Sequence, residues 1–257
     1  MNYSIFDPTG NITAIVTEPV DIGSRAAAAA EVMRLEPAVE QVGFLLPGKG
    51  IYDADLRMAG GEFCGNASMS AAALCAINSG MAAGEKKSLV LRVSGTPDPV
   101  MVELEAISEL SFRGRVSMPE ALEITEVLLP EEDELAVPVV SMPGIAHAIV
   151  PESFGAEAAE EMLPSLCAQL GADAMGIMLV DDGFTRITPV VYVPGSGITV
   201  REHSCASGTA AVGACIAAMT GEHIRMSFAE PGGILTVEAD PESGLYIEGR
   251  VELMRQV

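Results

Sequence analysis

Two cysteines stand in closely similar local sequences, one in each half of the chain. Cys64 comes two residues after Glu62, and Cys205 comes three residues after Glu202. Each cysteine is followed by small or polar residues and then by an Ala-rich run that is typical of a buried helix. The repeated order of glutamate, cysteine and helix start predicts that both thiols serve the same chemistry.

The predicted helix starts favour a reactive form of Cys64 and Cys205. A cysteine there lies near about half a positive charge and near backbone N–H groups that have no helical acceptor. Both effects favour the thiolate of a group whose ordinary pKa is about 8.5, so we expect both thiols to be reactive near neutral pH. The same N–H groups bind anions, and two such starts would hold one carboxylate between the thiols. This predicts acid/base chemistry on an α-proton that needs neither pyridoxal phosphate nor a metal.

Other roles for cysteine have less support in this sequence. A cysteine in an Ala-rich helix is usually a small buried hydrophobe, and we interpret Cys75, Cys167 and Cys215 in this way. A zinc site would have to add His147 and His203 to the repeated cysteines, but no Cys-x-x-Cys or His-x-x-x-His spacing supports one. A cysteine-protease dyad with either histidine would leave the second thiol without a role.

Strand-like and helical segments alternate along the chain and would position the two thiols. Small-residue helices are predicted over 67–76 and 206–219, and further helices over 25–35 and 154–170. Pro119 marks a plausible boundary between two halves of similar plan. Because each half combines strands with one buried helix, we predict an α/β protein with two similar lobes, residues 1–118 carrying Cys64 and 119–257 carrying Cys205.

Composition excludes several classes of function. The 257 residues are 49% hydrophobic and 19% charged, as in a folded globular protein. A formal charge of −22 would repel a phosphate backbone, so nucleic acid is not an expected partner. No apolar stretch reaches roughly 20 residues and no basic, apolar leader opens the chain, which predicts a cytoplasmic protein without a membrane span. Five cysteines without a secretion signal predict free thiols.

Four sequence blocks resemble the motifs of the diaminopimelate epimerase family, in the same order and over nearly the whole chain. They are Asp7–Asn11, Glu62–Ala67, Met142–His147 and Cys205–Gly208. The family comprises cofactor-independent amino-acid racemases and epimerases, with proline racemases and histidine racemases among its relatives. The resemblance implies two lobes, each a mixed β-sheet wrapped around a central helix, and a last strand, about 245–257, that returns to the first lobe. It also implies a homodimer.

The resemblance also implies roles for individual residues. Cys64 and Cys205 would be the proton acceptor and the proton donor. Glu62 has the place in the first half that Glu202 has in the second, and a capping or structural role is equally open for it. The α-carboxylate would be held by Gly65, Asn66, Ala206 and Ser207. Asn11 and His147 would line the pocket. Glu202 would lie beside the α-ammonium, although it is closer to its cysteine than the family's glutamate.

Two departures from the family pattern concern the substrate. The family's Asn-Pro-His block is Ile145–His147 here, and the Glu-Arg-Gly block that binds a distal carboxylate is Val193–Gly195. A buried distal carboxylate without donors would cost several kcal/mol, so diaminopimelate is disfavoured as a substrate. A smaller, apolar or imidazole side chain fits better. We therefore predict a cofactor-independent amino-acid racemase with histidine as the first candidate substrate.

Three alternative functions stay open at the level of sequence. They are a diaminopimelate epimerase, an isomerase of small unsaturated carboxylic acids on the same scaffold, and a non-catalytic small-molecule binder. The Cys64–Asn66 block argues against the phenazine-type isomerases, which lack the thiol pair, and two intact cysteines give no support to a loss of activity. Inactivation by a thiol reagent, with protection by the ligand, would separate an enzyme from a binder.

Overall fold

The computed structural model describes residues 1–129, 135–194, 197–240 and 244–257. The chain forms two compact units, Met1–Ser117 with Glu248–Val257, and Met118–Ile247. The last strand, Gly244–Gln256, therefore begins in the second unit and ends in the first. Each unit combines β-strands with a buried helix, so the predicted fold class of two similar lobes, each a mixed sheet wrapped around a central helix, is confirmed.

The first unit is a mixed sheet that closes on itself. The strands pair in chain order, and the last strand of the protein pairs back with the first, which leaves no free edge. The helices are α1 (Arg25–Leu35) and α2 (Gly65–Asn78), and the strands are β1 (Tyr3–Pro8), β2 (Thr13–Val16), β3 (Gln41–Pro47), β4 (Ala54–Met58), β5 (Lys86–Val93), β6 (Val100–Ala106) and β7 (Ser111–Met118).

Helix α2 is the centre of the first unit. It packs against the strands β1 to β6, and every residue from Gly65 to Leu74 is buried. A helix that is apolar on all sides has to be enclosed, and small side chains let the surrounding strands approach. The strands alternate buried and exposed positions, as in β6, so one face of the sheet covers the helix. The buried helix predicted over 67–76 is confirmed and begins two residues earlier, at Gly65.

The second unit repeats this plan around another small-residue helix. Its six-stranded sheet has the strand order β13-β12-β11-β10-β9-β8, and β14 and β15 form an antiparallel pair in which β15 lies beside the last strand of the protein. The helices are α3 (Ala156–Leu170) and α4 (Ala206–Thr220), and the strands are β8 (Glu123–Leu128), β9 (Ala136–Met142), β10 (Ile145–Pro151), β11 (Met175–Val180), β12 (Ile187–Val193), β13 (Ile198–Arg201), β14 (Ile224–Glu230), β15 (Gly233–Asp240) and the opening part of β16 (Gly244–Gln256).

The two helices of this unit cover opposite faces of the six-stranded sheet. The core that packs on α3 includes Met175 and Ile177, whereas α4 packs against β9, β10 and β11 and against the β14–β15 pair. Because neighbouring side chains on a strand point to opposite faces, Gly176 lies on the α4 side. Strands β10 and β11 are parallel, and His147 is the register partner of Gly176. His147 therefore lies on the α4 face of the sheet.

Several elements differ from the sequence-based predictions. The helix predicted over 154–170 begins at Ala156, after a short 3-10 turn at Glu152–Phe154. The strands β4, β8 and β13 were not predicted. In β8 the residues are exposed except for one half-buried position, so the strand has no apolar alternation that a sequence pattern could reveal.

Candidate functional site

Cys64 caps the N-terminus of α2. Its backbone is extended, with φ −139° and ψ 112°, and its Sγ accepts a hydrogen bond from the backbone N–H of Ala67 at 3.4 Å. The sulfur thus occupies the place that a serine or threonine oxygen takes in an ordinary helix cap. The half-buried thiol lies beside an N–H donor at the positive end of the helix dipole.

The next two residues, Gly65 and Asn66, form the start of α2 and are both buried. The hydroxyl of Ser68 donates a hydrogen bond to the carbonyl of Cys64 at 2.8 Å, and that of Ser70 donates to the carbonyl of Asn66 at 3.0 Å. These bonds hold the first turn of the helix. The N–H groups of the first turn are the ones that an anion binds at a helix start, as the sequence analysis predicted for these two residues.

Asn11 lies in the turn between β1 and β2, two strands against which α2 packs. It is 2% exposed, and its Nδ2 donates a hydrogen bond to Glu40 at 3.0 Å. Its Oδ1 is buried and has no hydrogen-bond partner among the described residues. An acceptor buried in this way costs about 1–3 kcal/mol, which makes Asn11 a candidate to accept a hydrogen bond from a ligand.

Glu62 belongs to the framework that holds the chain ahead of the capping cysteine. Its carbonyl accepts a hydrogen bond from the Ser94 hydroxyl at 2.9 Å. Gly95 has a φ of +79°, and a Cβ at this position would lie 2.5 Å from the carbonyl carbon of Glu62 and 2.9 Å from the Cα of Phe63. The close approach of these backbones favours the structural role for Glu62. Sequence reasoning missed the Ser94–Gly95 pair, which has no motif of its own.

Cys205 occupies the N-cap position of α4 with a similarly extended backbone, φ −134° and ψ 98°, but its side chain makes no capping hydrogen bond. It is buried, at 7% exposure, and its Sγ lies 3.6 Å from the hydroxyl of Ser207. Burial raises the pKa of the Cys205 thiol well above its usual value, and the Glu202 carboxylate raises it further. At Cys205, desolvation therefore opposes the favourable effect of the helix start on the thiolate.

Glu230 is a residue beside Cys205 that sequence reasoning missed. Its carboxylate accepts hydrogen bonds from the backbone N–H of Cys205, at 2.8 Å, and from the hydroxyl of Thr209. Burial raises the pKa of Glu230 to about 8. Because Glu230 ends β14, 25 residues after Cys205, no local motif could have connected the two.

His147 lies fully buried on β10 and touches the same helix start. Its Nε2 is 3.1 Å from the hydroxyl of Ser207, so the imidazole, this hydroxyl and the Cys205 sulfur form one chain of contacts. Burial lowers the pKa of His147 to about 3, which keeps the ring neutral. A Cβ on its register partner Gly176 would lie 3.0 Å from the His147 Cε1 and closer to Nδ1. Gly176, also missed by sequence reasoning, makes room for the ring.

The remaining predicted contacts of the second unit are Glu202 and Ala206. Glu202 is half-buried, its backbone N–H donates a hydrogen bond to the carbonyl of Pro189 at 3.0 Å, and its side chain interacts with the Cys205 thiol. Ala206 is buried as the first residue of α4. Together with Ser207 they surround the thiol, so the structure brings together the residues that the sequence analysis assigned to this half.

The other three cysteines lie inside helices and not at a helix start. Cys167 and Cys215 are buried, Cys75 is half-buried, and burial raises the pKa of each thiol. Within the described ranges, no three His, Cys, Asp or Glu side chains are grouped to hold a metal ion, and no helix is long and apolar enough to cross a membrane. Gly195, which ends one of the two departures from the family pattern, lies outside the described residues.

The fold is that of racemases and epimerases of known structure. A predicted epimerase from Pseudomonas aeruginosa superposes with a TM-score of 0.74 at 18% sequence identity, covering 100% of this chain and 98% of the other. A probable proline racemase from Agrobacterium radiobacter K84 gives a TM-score of 0.71 at 14% identity, covering 100% and 92%. At these identities the likeness establishes the architecture.

Sequence comparison shows the family. The family profile described as "Histidine racemase CntK N-terminal domain" matches residues 1–256. A histidine racemase from Fusobacterium nucleatum subsp. nucleatum is 30% identical over 264 residues, covering 100% of this chain and 95% of the relative. The chain belongs to this racemase family, and the protein is an isomerase of the amino-acid racemase class. The resemblance seen in the sequence is confirmed, and the non-catalytic binder is set aside.

Proposed function

We propose that this protein inverts the α-carbon of a free amino acid with Cys64 and Cys205 as its two proton-transfer groups and without a cofactor. The observation that carries the proposal is the matched setting of the two cysteines. Each occupies the N-cap position of a buried small-residue helix with an extended backbone, with φ and ψ of −139° and 112° for Cys64 and −134° and 98° for Cys205. In a two-base inversion one group removes the proton from one face of the carbon and the other group donates a proton to the opposite face, and two similar groups can exchange these roles when the reaction runs in reverse.

In the proposed step one cysteine is a thiolate and the other is a thiol. The thiolate removes the α-proton, the electron pair of the C–H bond moves toward the carboxylate, and the thiol donates its proton to the opposite face of the carbon. The product leaves inverted, and the two cysteines have exchanged protonation states. Two thiolates would repel, and two thiols would include no base. The raised pKa of Cys205 supports the form in which Cys64 is the base and Cys205 is the acid.

The helix starts supply the electrostatic part of the mechanism. The backbone N–H groups of Gly65, Asn66, Ala206 and Ser207 would hold the α-carboxylate, which gains negative charge as the proton leaves. Fixed donors aimed at such a developing charge each contribute roughly 10²–10³-fold in rate. The α-ammonium would be held by the Glu202 carboxylate, with the buried Oδ1 of Asn11 as a further acceptor.

Histidine is the proposed substrate. Support comes from the Fusobacterium nucleatum relative, a histidine racemase that is 30% identical over the whole of this chain. The sequence also lacks the polar residues with which the family binds a distal carboxylate, since Ile145 and Val193 stand in the corresponding blocks. A neutral or imidazole side chain does not need those donors, whereas diaminopimelate does.

A panel assay tests the substrate and the independence from cofactors. The protein, dialysed against EDTA and free of added pyridoxal phosphate, is incubated with single enantiomers of common amino acids and with meso-diaminopimelate, and the products are resolved by chiral chromatography. We expect racemisation of histidine and no meaningful turnover of meso-diaminopimelate. Efficient epimerisation of meso-diaminopimelate without activity on the panel would contradict the substrate, and activity lost on EDTA treatment and restored by metal would contradict the absence of a cofactor.

Single-cysteine variants test the two-base mechanism. Cys64→Ala and Cys205→Ala should each abolish racemisation, while Cys75→Ala, the same change near the C-terminal end of α2, should retain it. In D₂O each inactive variant should still exchange the α-proton of the one enantiomer that faces its remaining thiol. Exchange by Cys205 in the Cys64→Ala protein should need a higher pH, because the pKa of Cys205 is raised. Near wild-type racemisation in either variant would show that one base is sufficient.

The mechanism requires that both thiols reach one substrate carbon. A short bis-alkylating reagent should therefore link Cys64 to Cys205 within one protein molecule, and substrate should protect against the reaction. Linkage that never joins these two residues would count against the proposal. The homodimer and the cytoplasmic location implied by the sequence stay predictions, to be checked by light scattering and by cell fractionation.

A further inference from the structure

Glu230 lies buried beside the start of α4 with only 7% of its surface exposed. One carboxylate oxygen accepts a hydrogen bond from the backbone N–H of Cys205 at 2.8 Å, and the other accepts one from the hydroxyl of Thr209. The side chain thus joins the residue that caps the helix to the fourth residue of its first turn. In a capping box a glutamate of the helix itself satisfies the N–H of the cap residue; here a separate strand supplies it.

A purely structural role does not explain why this buried residue is a glutamate. Burying a carboxylate is unfavourable by several kcal/mol unless it is paired, and the two partners of Glu230 are neutral donors. A glutamine could make both hydrogen bonds without that cost. The acid is therefore expected to contribute through its charge as well as through its hydrogen bonds.

The charged and titratable groups around Glu230 come from several elements. Burial and the Glu202 carboxylate raise its pKa, the hydrogen bonds from Thr209 and Cys205 lower it, and the balance raises it to about 8. On the neighbouring β10, His147 is neutral. Among the described residues near these elements, Arg186 pairs with Glu152, and Glu238 of β15 pairs with Arg225.

We propose that Glu230 is a positioning residue for Cys205, which holds the thiol at the start of α4 and keeps it protonated as the proton donor. This inference rests on the two-cysteine function proposed above. Burial and neighbouring carboxylates raise the pKa of Cys205 well above its usual value, so Glu230 ionises before it. Above the pKa of Glu230, which is about 8, its carboxylate opposes a second negative charge on the sulfur. Glu230 acts through Cys205 and needs no contact with the substrate.

The Glu230→Gln variant separates the charge from the hydrogen bonds. A carboxamide has the same shape, accepts from the Cys205 N–H with its oxygen and donates to the Thr209 hydroxyl with its NH₂. The Cys205 pKa is measured by NMR titration of protein labelled with ¹³C at the cysteine Cβ, with the signal assigned by its absence from Cys205→Ser. We expect the variant to lower this pKa by about one unit or more. The exposed change Glu222→Gln should leave it unaltered.

The pH dependence of kcat/KM distinguishes this role from a purely structural one, because a structural role would not shift it. At high pH kcat/KM decreases because the donor loses its proton. In Glu230→Gln this decrease should begin at a lower pH, and the shift should equal the change in the Cys205 pKa measured by NMR. Below the pH of this decrease, Glu230→Gln should lose less activity than Glu230→Ala, which loses both hydrogen bonds and should lose more than about tenfold. Rates that fall equally at every pH in both variants would reduce Glu230 to a structural residue and overturn the proposal.

The wild-type protein provides a measurement that needs no substitution. As Glu230 ionises, the Cys205 Cβ signal should show an inflection near pH 8, well before the thiol itself titrates. A wild-type titration without this inflection, or an equal Cys205 pKa in wild type and Glu230→Gln, would overturn the inference. The titration does not depend on turnover. If the Cys205 pKa falls as expected while the wild-type protein racemises no amino acid, the proposed function fails and the link between Glu230 and Cys205 stands.

Discussion

Replacing Gly176 by alanine tests whether the position of the His147 imidazole matters. The added methyl carbon would lie 3.0 Å from the His147 Cε1, closer still to Nδ1, and 3.0 Å from the Met178 Cε, where ordinary contacts begin at 3.4 Å. Because protein interiors are packed as densely as organic crystals, the ring has to retreat by roughly 0.5–1 Å. That movement breaks the 3.1 Å contact between the His147 Nε2 and the Ser207 hydroxyl.

The structure allows the size of the effect to be worked out. Overpacking costs about 1–3 kcal/mol and a lost buried hydrogen bond about 1 kcal/mol, so the free energy of unfolding should fall by about 2–4 kcal/mol. For a chain of this size the corresponding decrease in Tm is about 5–15 °C. The change also releases Ser207, which the proposed function places on the α-carboxylate. A displacement of this kind should lower kcat/KM by about 10–100-fold.

Thermal unfolding followed by circular dichroism and chiral chromatography of the products measure the two effects. Gly23→Ala is the matched control, since a Cβ there meets nothing within 4 Å, and it should leave Tm and kcat/KM unchanged. In a His147→Ala background, Gly176→Ala should cost little stability because the clash has been removed, which gives a coupling energy of about 1 kcal/mol or more. A Gly176→Ala protein whose Tm is within about 2 °C of wild type and whose kcat/KM is unchanged would refute this reasoning.

Three further predictions follow from the framework of the site. Gly95 has a φ of +79° and lies against the backbone that precedes Cys64, so Gly95→Ala should lower Tm and racemisation. Gly50 has a φ of +67° but open space around it, so Gly50→Ala should retain activity. Equal losses in the two variants would contradict the close approach at Gly95. The pKa of His147 falls from 6.5 to about 3 on folding, so its stabilising contribution is complete above pH 6.5 and is lost toward pH 3, by up to about 5 kcal/mol. Chemical denaturation across this range should show the loss, and His147→Gln should reduce it. The contribution of Glu230 to stability has the opposite pH dependence. Its pKa rises from 4.5 to about 8 on folding, so the free energy of unfolding should decrease as the pH rises between these values, and Glu230→Gln should reduce that decrease.

The parts of the fold with a strong local pattern could be predicted from the sequence. The helix over 25–35 and the two small-residue helices are found where they were predicted, because runs of alanine and other small residues favour helix and demand burial. Strand β8 could not be predicted, because its side chains are mostly exposed and only Val127 packs against the core, so its pairing with β9 leaves little trace in the sequence. The 3-10 turn ahead of α3 likewise has no signal that separates it from the helix.

Sequence alone determined the positions of Cys64 and Cys205 at two helix starts, since the repeated order of glutamate, thiol and small residues is a local pattern. Only the tertiary structure decided what surrounds the second thiol. Strand register places Gly176 against His147, and the end of β14 brings the Glu230 carboxylate to the Cys205 N–H. Burial then raises the pKa of that thiol, which the helix start by itself would lower. Register and desolvation depend on residues distant in the chain, so no local pattern records them.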